Sequence, residues 1–234
     1  MNQDETITVG WCDNNLVSGE FTEGLLSVSL SKNIKFPVSS SVRVQGNQIA
    51  VQRQRLLNHW YDELKTDWLF WVDSDIVLTP GIWEKICESA DRKTHPIVSG
   101  VYFIAKEKNG SLPIVYPCIF NDVDDETIQY IHPLPADRLL KIDCAGLGLV
   151  LMHRDVITKL KKKYGKDCFL FEEKNIVTEK FLGEDIAFFR RCKEVDIPVY
   201  AHTGAIGKHI KSVPWDIDYY HLYWTAMGVS PLIN

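Results

Sequence analysis

The chain has 234 residues, 45% hydrophobic and 24% charged, which supplies one sizeable core and excludes a disordered chain. With 26 basic and 31 acidic residues the net charge is −5, which argues against a surface that tracks nucleic acid throughout and leaves room only for a local basic patch. Met1 to Thr6 is polar and acidic, unlike a signal peptide, and no apolar run approaches the ~20 residues that span a bilayer. Cys12, Cys87, Cys118, Cys144, Cys168 and Cys192 include no Cys-x-x-Cys pair, so a thiolate zinc site is not expected. Reduced, mostly buried thiols of an intracellular, cytoplasmic protein are expected instead.

Thr6 to Cys12 alternates and is rich in β-branched residues, predicting the first strand, which closes on the turn cluster Cys12-Asp13-Asn14-Asn15. Ser18 is placed to cap a helix with Phe21, Leu25 and Val28 on one face. A second strand is predicted over Ile34 to Val38. A long helix capped by Asn47 then carries Ile49, Ala50, Leu56, Leu57 and Trp60, together with Arg53 and Arg55. An arginine there is ordinarily part of a solvated face. One near the N-terminal end can instead reach an anion lying over the sheet edge.

The stretch Asp67-Trp68-Leu69-Phe70-Trp71-Val72-Asp73-Ser74-Asp75 sets five apolar residues before two carboxylates. A run this short reads as a strand buried on both faces of a parallel sheet. Asp73 and Asp75 then stand at its carboxyl end, where open α/β sheets bind ligands, and point to the same side. Two carboxylates so placed can hold Mg²⁺ or Mn²⁺ and through it a diphosphate. The plainer reading is that they cap the strand and its turn, before Thr79-Pro80-Gly81 starts a helix through Ile82, Ile86 and Ala90. Three strand–helix pairs in succession are the α/β nucleotide-binding pattern. Neither Gly-x-Gly-x-x-Gly nor Gly-x-x-x-x-Gly-Lys-Ser/Thr occurs, which disfavours dinucleotide and P-loop folds.

Ile97 to Ala105 is strand-like, and Asn109-Gly110 predicts a hairpin returning over Ile114 to Phe120. Asn121 to Glu126 reads as a solvated acidic turn, lacking the glycine of an EF-hand loop. In Asp143-Cys144-Ala145-Gly146-Leu147-Gly148-Leu149 the small residues let the backbone pass close to a ligand or to a neighbouring strand. His153 to Lys163 reads as a helix whose C-terminal lysines suit the dipole, or form a basic patch for an acceptor. Glu184 and Asp185 fall in the first turn of a further helix, where acidic residues are favoured in any case. A final strand ends near His202. A flexible basic loop with Gly204, Gly207, Lys208, His209 and Lys211 follows, able to supply one metal ligand and to cover phosphate charge. Trp215, Tyr219, Tyr220, Tyr223 and Trp224 form core packing or a lid and acceptor platform.

Three blocks together resemble the GT-A glycosyltransferases, especially inverting family 2-like enzymes, including small ones of phages and other viruses. They are Ile49-Ala50-Val51-Gln52-Arg53-Gln54, the Asp-x-Asp strand from Asp67 to Pro80, and the segment from Asp143 through Gly183-Glu184-Asp185 to His209. Gln54 stands where that family often has asparagine, and the first strand gives no base-reading signature. The resemblance implies one GT-A domain over 1–234, with a mixed, mostly parallel Rossmann-like sheet flanked by helices. Residues 6–100 would form a nucleotide-binding half, and 101–234 an acceptor half with a C-terminal lid. It implies a metal-dependent enzyme moving a sugar from a UDP- or GDP-linked donor to an acceptor hydroxyl of a glycan, a protein or a modified nucleic-acid base. Asp75 and His209, with Asp73, would bind Mn²⁺ or Mg²⁺. Asp13, Arg53, Asp73, Ser74, Gly146, Lys208 and Lys211 would contact the donor. Asp185 would be the general base, with Glu184 orienting the acceptor. A nucleotidyltransferase making sugar nucleotides would want a glycine- and lysine-rich loop where Asp13-Asn14-Asn15-Leu16 stands, and a non-catalytic sugar-nucleotide or carbohydrate-binding module would have no use for Glu184, Asp185 and His209 together.

Overall fold

The computed structural model describes residues 5–31, 35–108, 111–122, 127–166, 183–211 and 217–228. β1 (Ile7–Asp13) leads to α1 (Gly19–Ser29), where Ser18 Oγ accepts from the Phe21 amide at 3.0 Å, as a capping serine should. β2 (Val38–Gln45) lies downstream of its expected position. Pro37 lacks an N–H, and the alternation that buries Val42 and exposes Ser39, Ser41 and Arg43 begins only after it, giving an edge strand. Of the span expected to be a strand, Ile34 lies outside the described residues.

α2 (Ile49–Asn58) continues as a single π-turn over His59–Leu64, and left-handed Lys65 ends it. Its N-cap is Gln48, without a side-chain cap bond, one residue beyond the expected Asn47. β3 (Trp68–Val72) is buried throughout. After β4 (Ile76–Val77), Thr79 caps α3 (Pro80–Ser89), which opens on its proline.

β5 (Ile97–Val101) belongs to the main sheet, but at Tyr102 the chain leaves it. The expected single strand therefore splits, and β6 (Phe103–Lys108) pairs with β7 (Ser111–Pro117) as a separate hairpin. Its Asn109-Gly110 tip and most of the acidic turn, 123–126, lie outside the described residues. β8 (Ile119–Asp122), β9 (Ile128–Tyr130), β10 (Leu139–Ile142), β11 (Cys144–Ala145) and β12 (Leu149–His153) follow, then α4 (Arg154–Tyr164), capped by His153. α5 (Glu184–Glu194) starts at the Glu-Asp pair, as expected. The expected flexible loop is ordered. β13 (Val199–Ile206) runs on past His202, and β14 (Lys208–His209) pairs antiparallel with β4. α6 (Ile217–Ala226) carries the aromatic tail, of which Trp215 lies outside the described residues.

The main sheet has the order β10-β13-β5-β12-β3-β1-β2. Five strands run one way, while β12 and β10 oppose them, so the sheet is mixed and mostly parallel. Helices and core side chains cover its faces. Trp83 of α3 stacks on Phe70 of β3 at 4.3 Å, and Trp68, Leu69 and Val72 are fully buried. Both sequence halves contribute strands. Because β12 is antiparallel to β3, the turn before it lies beside the carboxyl end of β3, where Asp73 and Asp75 emerge. Among the described residues no helix is long and apolar enough to cross a membrane.

Candidate active site

An open cleft of about 790 Å³ lies at the carboxyl ends of β1 and β2, lined by Asp13, Asn14, Leu16, Asn47, Gln52, Ser74 and Asp75 among others. Its floor is tied by backbone and amide bonds. Gln52 Nε2 donates to the Asp13 carbonyl at 2.8 Å, and the Gly46 amide donates to the same oxygen at 3.2 Å. The Asp13 carboxylate is already engaged. Arg43 donates to both oxygens at 2.5 and 2.8 Å, Trp11 Nε1 donates at 3.2 Å and the Asn15 amide at 2.8 Å. The bond from Arg43 above all holds its carboxyl below the usual range.

Asp73 leaves β3 with its amide donating to the Gly148 carbonyl at 2.9 Å. A Cβ on Gly148 would lie 3.0 Å from Asp73 Oδ2, so the small residue of this turn admits the Asp73 side chain. Arg53, 4% exposed, reaches across from α2. Its Nη2 donates to Asp73 at 3.0 and 3.1 Å, and its Nη1 donates to Glu184 at the start of α5. Burial opposes its charge, but Asp73 and Glu184 outweigh burial and raise its pKa. Asp185, the next residue, has its carboxyl pushed up by burial and then by Glu184. Its carboxylate accepts a local hydrogen bond from the Ile186 amide at 2.8 Å.

Asp75 and His209 meet across the β4–β14 ladder, where His209 is registered against Ile76 and the Ile210 amide donates to the Asp75 carbonyl at 2.8 Å. His209 Nδ1 lies 2.7 Å from the Phe103 carbonyl, an acceptor only, so Nδ1 carries the proton. In the neutral ring the Nε2 lone pair then faces Asp75 Oδ2 at 3.3 Å. Two acceptors that face each other this closely suit a cation held between them, and a mixed carboxylate–imidazole pair suits Mn²⁺. Lys211 Nζ approaches the same oxygen at 2.6 Å. Burial alone would raise the Asp75 carboxyl, but with the ring protonated, so that Nε2 donates to the carboxylate, His209 and Lys211 outweigh it and hold the pKa at about 2. No group of three or more metal-binding side chains occurs among the described residues, so further ligands would come from a bound ligand and water.

No protein-family model matches the sequence, and neither does any curated protein. Solved structures do match. A197 from STIV superposes with a TM-score of 0.54 at 18% identity, covering 88% of this chain and 86% of that one. GalNAc-T7, in a crystal structure with UDP, GalNAc and Mn²⁺, superposes with a TM-score of 0.58 at 9% identity, covering 89% of this chain. The fold is GT-A. The chain spans 44% of the GalNAc-T7 chain, so what it shares with it is this fold.

Within the GT-A sheet edge, Asp13, Ser74 and Asp75 line one cleft, and Asp73, Arg53 and Glu184 form one ion-paired group with Asp185 beside it. Lys208 turns aside to Glu20 on α1 at 2.5 Å, and Gly146 is filled over by Tyr102 and Cys118. Sequence reasoning missed Arg43, Tyr102 and the Phe103 carbonyl. Tyr102 packs edge-on against His209 with ring centroids 5.1 Å apart, and its hydroxyl accepts from the Gly148 amide at 3.3 Å. The paired small residues at Gly146 and Gly148 were the only local signal of that buried ring.

Proposed function

We propose that this protein is a divalent-metal-dependent glycosyltransferase that moves a sugar from a UDP- or GDP-linked donor to an acceptor hydroxyl with inversion. The observation that carries this reading is His209 Nε2 facing Asp75 Oδ2 at 3.3 Å on the rim of a nucleotide-sized cleft. The Mn²⁺ and UDP of the GalNAc-T7 crystal structure support it by analogy of fold.

The nucleoside would sit in the cleft between β1 and β2, against Asn14, Asn47 and the apolar Leu16 and Ile49. Asp75 and His209 would hold Mn²⁺ or Mg²⁺, with Asp73 behind them. A cation bound there supplies Lewis-acid neutralisation of the charge that grows on the departing diphosphate. Ser74, Lys208 and Lys211 add donors and positive charge on the same side, for which Lys208 and Lys211 must leave Glu20 and Asp75.

Asp185 accepts the proton of the acceptor hydroxyl. That oxygen bonds to the anomeric carbon, and the carbon–oxygen bond to the diphosphate breaks, its electron pair leaving with the diphosphate. A half-buried carboxylate with no ion-pair partner among the described residues suits this task, since its affinity for a proton is raised. Glu184, fixed by Arg53, orients the acceptor.

The test is a thermal-shift screen of nucleotide sugars with and without Mn²⁺. A ligand that binds only the native state at 100 times its Kd adds about 2.7 kcal/mol of stability. Stabilisation by a UDP- or GDP-sugar that needs Mn²⁺ is the expected result, and none from any nucleotide sugar would refute the reading.

A further inference from the structure

We infer that Arg53 is a positioning residue, a buried strut that fixes Asp73 at the end of β3 relative to the start of α5 and so sets the aim of Asp185. The inference rests on the glycosyltransferase reading but departs from the phosphate-contact role that the family resemblance implies for this arginine.

Three observations carry it. First, the side chain is closed off from the cleft, being 5% exposed. Its Nη2 is held by both oxygens of Asp73 and its Nη1 by Glu184. The Nε is buried as well and meets no acceptor among the described residues. A guanidinium aimed at a diphosphate would present its fork to the cleft; this one presents it to two carboxylates.

Second, the two carboxylates belong to different parts of the chain. Asp73 directly follows the central strand, and Glu184 opens α5, 131 residues from Arg53 in sequence. Gly183, the N-cap of α5, offers no side-chain cap bond. The arginine therefore anchors a helix start that lacks its own cap.

Third, one cation faces three acidic side chains. Arg53 takes Asp73 and Glu184 in ion pairs, and among the described residues Asp185, one residue on, has no ion-pair partner. Pairing two and sparing the third separates the roles of adjacent acids. Removing the guanidinium would leave Asp73 and Glu184 half-buried and uncompensated beside Asp185, and their repulsion would turn the helix start away. A lysine retains the charge but cannot bridge two carboxylates through a planar fork.

The experiment is a double-mutant cycle on the full chain, with Mn²⁺ and a nucleotide sugar that the wild type binds, reading donor affinity by calorimetry and turnover by donor hydrolysis. For Arg53→Met, kcat should fall by about 10²-fold, the scale of an ångström's misplacement, while the donor Kd changes by less than about threefold. Arg53→Lys should restore part of kcat. In an Asp185→Asn background Arg53→Met should cost little more, because it acts through that residue. If Arg53→Met does not fold, Arg53→Lys is taken through the same cycle. A large loss of donor affinity with kcat preserved, or losses that simply multiply in the Asp185→Asn background, would overturn the strut while leaving the glycosyltransferase reading intact. A wild type that binds no nucleotide sugar would overturn both.

Discussion

Asp75 Oδ2 lies 3.3 Å from His209 Nε2; Asp75 immediately precedes β4 and His209 lies in β14, 134 positions away in sequence. The Phe103 carbonyl fixes which nitrogen carries the proton, and Tyr102 fixes the plane of the ring. Such a preset lone pair predicts a cation site that loses affinity when either partner goes. His209→Ala should weaken Mn²⁺ binding by roughly 10–100-fold, and Asp75→Ala should abolish metal-dependent donor binding. Calorimetric Mn²⁺ titrations check both. Unchanged affinity in either variant would place the ion elsewhere.

Lys211 competes for the oxygen that a cation would use. Its ammonium sits 2.6 Å from Asp75 Oδ2, but its side chain is 62% exposed and free to leave. The expected effect has opposite signs in two titrations. Without nucleotide, Lys211→Met should tighten Mn²⁺ binding by about two- to fivefold, the scale of losing an exposed ion pair that competes. With Mn²⁺ saturating, the same variant should bind UDP or GDP more weakly, because a phosphate-facing cation is gone. Parallel changes in both constants would contradict the exchange.

What the sequence made legible was local. The Asp73–Asp75 pair, the Thr79-Pro80 helix start, the Ser18 cap and the Glu184–Asp185 first turn all depend on neighbours within a few residues. The alternation of β2 was local too, but Pro37 and the apolar residues before it drew the reading upstream. What stayed hidden was joined through space. Nothing near Asp13 announces Arg43, and nothing near Arg53 announces Glu184. The basic segment around His209 looked like a loop because its glycines and lysines carry little β-propensity. Its strand character comes from pairing with β4, a tertiary contact that no window reveals.

The glycine turn gives a prediction on stability. A Cβ at Gly146 would overlap Tyr102 Oη and lie 2.5 Å from Cys118 Sγ, both in buried side chains. Gly146→Ala should therefore destabilise the fold by about 1–3 kcal/mol, the usual cost of overpacking. Since Tyr102 packs on His209, the folded variant should also bind Mn²⁺ more weakly. Chemical denaturation and a metal titration measure the two effects. Wild-type values in both would mean that Tyr102 moves freely and does not orient the imidazole.

As the proposed base, Asp185 would link activity and stability through one proton. Burial, then Glu184, raises its carboxyl above the ordinary aspartate value of 3.8. A base works only when deprotonated, so turnover should fall in acid through that raised value, and Asp185→Asn should remove about 10²–10⁴-fold of turnover with donor binding intact. The stability effect has the opposite sense. The native state binds this proton more tightly than the unfolded chain, so the group's stabilising contribution is present below the unfolded value and lost as pH rises through the folded one. Near neutrality the wild type carries a half-buried charge, without an ion-pair partner among the described residues, that Asp185→Asn does not. The variant should then melt higher than wild type near neutrality, by about 2–4 °C for each kcal/mol recovered, with the gap closing in acid. Thermal melts of both proteins across that range, beside the pH–rate profile, test the claim. A variant that is less stable near neutrality, or that keeps its turnover, would show that this carboxylate serves the fold and not the chemistry.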